Sequence, residues 1–207
     1  MVYHVTWDES SLKRFAFVIA KEEVYLMATQ QQLDLLQSGT AVWNRWRQEH
    51  LAIMPDLYGA DLSRVDLTGV DLSRANLSAA DLSGANFQEA DFCDADLSGA
   101  NLSETRLQAA HLSGAHLANA ELTRADLREA DLREARFHGA NLFQAKLVGA
   151  DLTGADLREA DLHEADLRNA ILRKANCRDA DLTYADLRGA DLRDADLHGV
   201  DLSFTKS

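Results

Sequence analysis

The sequence predicts a solenoid: a chain that turns a corner every five residues and stacks the resulting sides into a rod. Three observations predict it. A strict period of five runs unbroken from Pro55 to Ser203, as in ADLREADLHEADLRNA over residues 155–170. Two positions in each five are restricted in size. Thirty units centre on Leu57, Leu62, Leu67 and onward to Leu202. The centre is Leu in 26 of them, with Phe87, Phe92, Phe137 and Cys177 as exceptions. The residue two before the centre is Ala in 25, with Pro55, Val65, Val70, Thr105 and Val200 as exceptions. Finally, the residue just before the centre is Asp in 18 units and Asn in 5.

Neither regular element fits this period. Five residues advance a helix by about 500°, so its Leu residues would face every direction. In a strand, an odd step sends successive Leu residues to opposite faces. A chain that turns once per unit places one large and one tiny side chain inside each time and leaves three positions outside. Asp and Asn suit such corners because their side chains accept hydrogen bonds from nearby backbone N–H groups. The two positions after the centre vary freely.

Uninterrupted A[D/N]LXX repeats resemble the pentapeptide-repeat family, and the resemblance covers 149 of 207 residues. It implies an all-β solenoid, a right-handed quadrilateral β-helix with four units per coil, one on each side of a square. Thirty units then make about seven coils, a rod roughly 36 Å long at ~4.8 Å per coil. Residues 20 apart would share a column. Leu62, Leu82 and their successors to Leu202 form one column, and Phe137 and Cys177 share another. Phe87 and Phe92 become neighbours in one coil. All four exceptional centres are expected to fill the core. Cys93 faces outward some four coils from Cys177, beyond disulfide reach.

Residues 1–54 differ, and are expected to form a mainly helical N-terminal cap or extension before the repeat region, 55–207. TQQQ at 29–32 reads as a capping box with Thr29 as N-cap, and Ser38-Gly39 ends that helix. Thr40 is expected to cap a second helix, TAVWNRWRQEH, with Val42, Trp43 and Trp46 on one face. An open solenoid end exposes apolar side chains and unpaired backbone. This helix is therefore expected to lay Trp43 and Trp46 on the first coil. SGTAVWNRWRQEHLAIMPDLYGADLS resembles the helical lead-in of bacterial, often cyanobacterial, members of the family. Nearer the start, VYHVTW suits a strand, residues 10–26 suit a helix, and Met27 is a plausible alternative start.

Charge and composition narrow the function classes. A net charge of −13 argues against non-specific binding to nucleic acid or anionic membrane. The longest apolar run, Phe15–Ala20, is too short to span a bilayer. Two Cys without a CxxC fit a reducing compartment, and a cytoplasmic location is expected. The sequence has no G-x-S-x-G, P-loop, H-E-x-x-H or G-x-G-x-x-G motif. Many near-equivalent corner Asp residues give no carboxylate a special environment. Neither an enzyme, a cofactor nor a structural metal is expected, since His111 and His116 would face different ways and no ligand set converges.

Departures from the repeat mark candidate surfaces. Over residues 104–123 the residue before the centre is Arg106, His111, His116 and Glu121. By the family's column rule, Arg136 shares the His116 column and Lys146 the Arg106 column. These replacements either relieve like charges stacked along the rod or form a band for an acidic partner. Phe143 and Val148 are consecutive outward apolar residues. Tyr184 and Phe204 share an outward column near the C-terminal end, where Phe204 or a second copy would cover the last coil. Net negative charge concentrates early: residues 56–121 hold 11 acidic and 3 basic residues, and residues 122–207 hold 17 and 13. Arg128, Arg133, Arg158, Arg168, Arg173, Arg178, Arg188 and Arg193 follow the centre and are expected to neutralise the Asp columns. The leading expectation is a non-enzymatic protein-interaction scaffold with an unknown protein partner; a homodimer contact through the C-terminal end is an option beside cover by Phe204 itself. The alternative comes from the resemblance, since some family members mimic DNA and act on DNA gyrase.

Overall fold

The computed structural model describes residues 30–202 and 204–207. Thr29 and the expected strand and helix over residues 1–26 lie outside the described residues. From Asp56 onward, parallel bridges join residues 20 apart: Asp56 with Asn76, Asp61 with Asp81, and so on to Asp186 with Lys206. Four five-residue units therefore complete each coil. Its sides are named after their first centres: Leu57, Leu62, Leu67 and Leu72. Each side adds one bridging residue per coil rather than an extended strand. Corners follow so closely that no side has room for more.

Hydrogen bonding explains why the unit has five residues. Leu62 N donates to Asp81 O at 2.8 Å, Arg64 N to Ser83 O at 2.9 Å, and Asp81 N to Ala60 O at 2.9 Å. Three N–H groups of each unit thus join neighbouring coils. A fourth closes the corner, as Ala75 N does on Leu72 O at 3.1 Å. Only the N–H just after the centre lacks a backbone acceptor. Asp or Asn two residues earlier supplies it: Ser63 N donates to Asp61 Oδ1 at 3.0 Å, and Cys93 N to Asp91 Oδ1 at 2.8 Å. Twenty-two Asp or Asn residues do this among the described residues.

The second position after the centre is not free, contrary to the sequence expectation. It is left-handed at all 29 corners from Gly59 to Gly199: ten glycines and 19 other residues, such as Arg64 at φ 57° and Tyr184 at φ 60°. One positive φ at the second central residue is the pattern of a type II turn. None of the 19 is Val, Ile or Thr, as expected where a branched Cβ would clash.

Inside, Leu and Ala form one continuous buried core. Phe87 and Phe92 meet edge to face at 5.2 Å in one coil. Phe137 and Cys177 are fully buried. Both cysteines are free, and burial first, then neighbouring Asp residues, pushes each thiol up to about 12.

Helical residues 30–37 (α1) and helix Thr40–Glu49 (α2) lie against the first coil. Leu36 and Trp43 join the core, and Leu33, Leu35 and Trp46 pack on it. Gly39, not Thr40, is the N-cap of α2: its φ of 103° makes the bend, and Trp43 N bonds to its carbonyl at 3.1 Å. The inward face is also shifted from expectation. Trp43, Trp46 and Arg47 point inward, while Val42 is 45% exposed because it lies one residue off the i, i+3, i+4 stripe. Arg47, only 2% exposed, reaches Ile53 O at 2.9 Å and Ser73 O at 2.8 Å, with Nε 3.4 Å from Asp71 Oδ2.

The left-handed corners give a direct test. Ala109, at φ 55°, should tolerate Gly, whereas Ala109→Val should cost about 1–3 kcal/mol in chemical denaturation.

Candidate interaction surface

The four sides place the candidate residues apart. Arg106 and Lys146 lie on the Leu67 side, separated by Asp126, which bridges both. His111 lies on the Leu72 side between Asp91 and Asp131, and His116 on the Leu57 side between Asp96 and Arg136. Glu121 lies on the Leu62 side and accepts from Asn141 Nδ2 at 2.9 Å. Phe143 shares the Leu62 side, whereas Val148 turns the corner onto the Leu67 side. The band is therefore a girdle around the rod, and its members do not converge on one face.

The girdle has a structural cost. The seven units with Arg106, His111, His116, Glu121, Arg136, Lys146 or Ile171 before the centre make no corner bond of the Asp61–Ser63 kind among the described residues. Ile171 was not singled out in the sequence, although it breaks the Asp pattern too. Elsewhere, Asn relieves the stacked carboxylates by donating to the coil before it. Asn76 Nδ2 reaches Asp56 Oδ1 at 2.9 Å, and Asn86 reaches Asp66 at 3.2 Å.

Arginine holds the later Asp columns, as expected. Arg128, Arg133, Arg158, Arg168, Arg188 and Arg193 each fork onto the Asp two residues earlier, at 2.6–2.9 Å. Arg173 and Arg178 instead reach Asp191 and Asp196 in the next coil. Hydrogen bonds hold many of these carboxyls below the usual range. At Asp61 and Asp66 the main donors are the Ser63 and Thr68 hydroxyls. At Asp131, Asp156 and Asp166 they are the guanidinium groups. Asp186 is pulled to about 2 by Arg188.

The Leu62 side is different. Phe143 and His163 stack at 5.7 Å, His163 and Tyr184 meet edge to face at 5.4 Å, and Tyr184 and Phe204 stack at 5.4 Å. One ladder of four rings thus joins two features that look unrelated in the sequence. Its missing link, His163, was legible: it follows Phe143 by 20 residues, one coil. His163 is held by its ring Nδ1 at 2.6 Å from Thr183 Oγ1. Tyr184 and Phe204 remain 53% and 57% exposed. A shallow trough of about 580 Å³ borders Tyr184, with Glu164, Asp166, Asp186, Arg168, Arg188 and Lys206 on its walls.

No group of His, Cys, Asp and Glu able to hold a metal ion occurs among the described residues. Nor is any helix among them long and apolar enough to cross a membrane.

Two measurements follow from the corner chemistry. His111→Asn should gain the missing corner bond and raise stability by about 0.5–1 kcal/mol in chemical denaturation. The depressed carboxyls contribute stability that is fully present above the unfolded-state value near 3.8 and is lost as pH falls through the folded values. The melting temperature should therefore hold from neutral pH to about 5, then drop steeply towards pH ~2 in an acid titration followed by circular dichroism.

Residues 60–99, 100–139, 135–173 and 175–206 match the family model Pentapeptide repeats, with 8 copies. Comparison with curated proteins finds no match. Among solved structures, the chain is similar to HetL, a pentapeptide repeat protein involved in heterocyst differentiation regulation from the cyanobacterium Nostoc sp. strain PCC 7120. The identity is 32% over 76% of this chain and 94% of that one, with a TM-score of 0.46. It is also similar to a trypsin-treated form of QnrB1, a plasmid-mediated fluoroquinolone resistance protein, at 22% identity over 74% of this chain and 89% of that one, TM-score 0.53. A pentapeptide repeat protein of the Arabidopsis thaliana thylakoid lumen is 38% identical over 50% of this chain and 69% of that one, TM-score 0.42. With the five-residue repeat matched over most of its length, the chain belongs to the pentapeptide-repeat family, whose members form right-handed quadrilateral β-helices and are generally non-enzymatic structural repeat proteins.

Proposed function

We propose that this protein is a non-enzymatic, cytoplasmic scaffold that binds another protein on the outer surface of its rod, residues 55–207. The observation that carries this reading is the division of labour within each unit. Two side chains fill the interior, one completes the corner, and the rest of the outer surface is left for recognition on four sides. The interior is closed, so recognition falls to the outside.

Residues 1–54 serve as a cap in this reading, through α2. Three hydrogen bonds support it. In the interior, Asp91 N donates to Val70 O, Leu72 N donates to Asp91 O, and Arg74 N donates to Cys93 O. At the first coil, Asn44 Oδ1 accepts from Asp71 N at 2.9 Å, Trp43 Nε1 donates to Asp71 O at 2.6 Å, and Arg47 donates to Ser73 O at 2.8 Å. The side chains of α2 stand in, bond for bond, for a preceding coil on the Leu72 side. At the opposite end Leu202 and Phe204 are exposed, and Leu192 and Leu197 are partly so. A second copy packed end to end would cover them.

The second reading is mimicry of DNA towards DNA gyrase. It draws on the family and on the acidic early coils, with 11 acidic against 3 basic residues over 56–121. The likeness to QnrB1 is one of fold. The arginine forks that neutralise the later Asp columns weigh against a continuous negative duplex imitation.

Arg47→Leu should cost about 2–4 kcal/mol, because it strands the carbonyls of Ile53 and Ser73; an unchanged denaturation midpoint would remove the cap. For the scaffold, the full chain should retain one protein from host extract. That protein, purified, should bind 1:1 by calorimetry and lose binding when Arg is placed at outward positions of one side only. A partner indifferent to substitutions on every side would sink the reading. Inhibition of gyrase supercoiling by the purified chain would put mimicry first.

A further inference from the structure

We propose that the aromatic ladder on the Leu62 side is a docking strip for an extended basic segment of a partner protein, one with Arg or Lys at alternate positions. The proposal deepens the scaffold reading and rests on it. Phe143, His163, Tyr184 and Phe204 form a continuous line of rings over four coils. Two of these rings are more than half exposed. Rings need no such exposure to stabilise the rod, whose core is already closed by Leu142, Leu162 and Leu182 beneath them.

Charge selects the occupant. From Asn141 onward the outward residues of the Leu62 side include Asp161, Glu164, Asp181 and Asp201 and no Lys or Arg. Each of the other three sides carries at least two basic residues over the same coils. There the arginines chelate the Asp columns; at the strip's border Arg168 and Arg188 are already forked onto Asp166 and Asp186. Lys206 is a third cation on that edge. On the strip itself, Asp161 and Asp181 use Oδ1 for their corners, accepting from His163 N at 2.9 Å and Thr183 N at 2.8 Å. Their Oδ2 atoms make no ion pair among the described residues. Glu164 is held beside the ladder by Gln144 Nε2 at 2.7 Å. Carboxylates beside exposed rings suit a guanidinium or ammonium group, which pairs with the first and packs on the second.

The dimensions agree. Four coils set the ladder at roughly 15 Å from end to end, and an extended chain repeats each side chain direction every ~6.8 Å, so three alternate cations span about 14 Å. A second copy of this chain, with a net charge of −13, carries its outward arginine columns already bound to Asp, as at Arg168 with Asp166 and Arg188 with Asp186, so those columns are neutralised and do not match the strip.

The test uses the full chain and a fluorescein-labelled nonapeptide alternating Arg and Ser, with its Glu–Ser counterpart as control. Two double variants keep the fold. Asp161→Asn with Asp181→Asn preserves the corner bond, because Asn already makes it at Asn141 and Asn176. In Tyr184→Ala with Phe204→Ala, the first change places Ala at a left-handed corner of the kind Ala79 and Ala109 already occupy, and the second shortens an exposed side chain at the last coil. Fluorescence anisotropy should show binding of the Arg–Ser peptide only. Either double variant should weaken it about tenfold, while Asp91→Asn with Asp151→Asn on the Leu72 side should change it less than about twofold. Equal loss with the Leu72-side variant would mean diffuse attraction to an acidic rod and would overturn the strip. So would no binding at all. Sedimentation showing a dimer that Tyr184→Ala with Phe204→Ala dissolves, with no peptide bound, would assign the ladder to a second copy instead. In each of these cases a partner captured through another side leaves the scaffold reading standing, so the two fail separately.

Discussion

One N–H group per unit decides the chemistry of the outer surface. Stacking coils and closing corners consume four of the five backbone donors in each unit. The fifth points into the corner, where only a short side-chain acceptor two residues back can meet it. Asp and Asn have that reach; longer side chains overshoot, and Ile cannot accept. The acidity of the protein is therefore first a consequence of backbone accounting and only then available for recognition. Every other feature of the surface responds to it. Asn spaces the stacked carboxylates, Arg chelates them in the later coils, and the girdle of seven exceptions gives up a corner bond wherever it appears.

The same accounting governs the ends. A coil in the middle of the rod has neighbours for each donor and acceptor along its edges. The first coil has a neighbour on one edge only, and on the Leu72 side of its other edge Asn44, Trp43 and Arg47 meet the vacant groups one by one. Those bonds are why α2 carries a buried Arg47 one turn from a fully buried Trp43. A purely apolar helix would cover the Leu and Ala interior and strand the coil's carbonyls. The last coil has no such helix against it among the described residues, and its Leu side chains are progressively more exposed.

The rod itself was legible because a period of five fits neither a helix nor a strand, because interior sizes repeat without a slip, and because the repeat resembles a family whose coils stack into a rod. Columns follow once four units per coil are adopted, and the Phe87–Phe92 and Phe137 positions come with them. What escapes the sequence are properties that depend on exact direction. The inward face of α2 lies one residue from its expected place, because Val42 and Trp46 are also four apart and only packing shows that Trp43 and Arg47 form the inward line. The second corner position looks free because charged, polar and small residues all occur there; what it excludes, branching at Cβ, is visible only as an absence. The aromatic ladder reads as two fragments. Its rings switch from the first to the second position after the centre between His163 and Tyr184, so a column rule of 20 breaks where the contact of 21 continues.

Backbone donors, coil by coil, dictate which side chains the surface must carry and which end groups must be replaced. Residue-resolved amide exchange on the full chain tests this most directly. The account predicts slow exchange for the centre N–H of each interior unit. It predicts equally slow exchange for Asp71 N in the first coil, and fast exchange after the exceptional corners, at Gln108, Ser113, Ala118 and Thr123. Rapid exchange at Asp71, or protection at those four positions equal to that at Ser63 or Cys93, would contradict it.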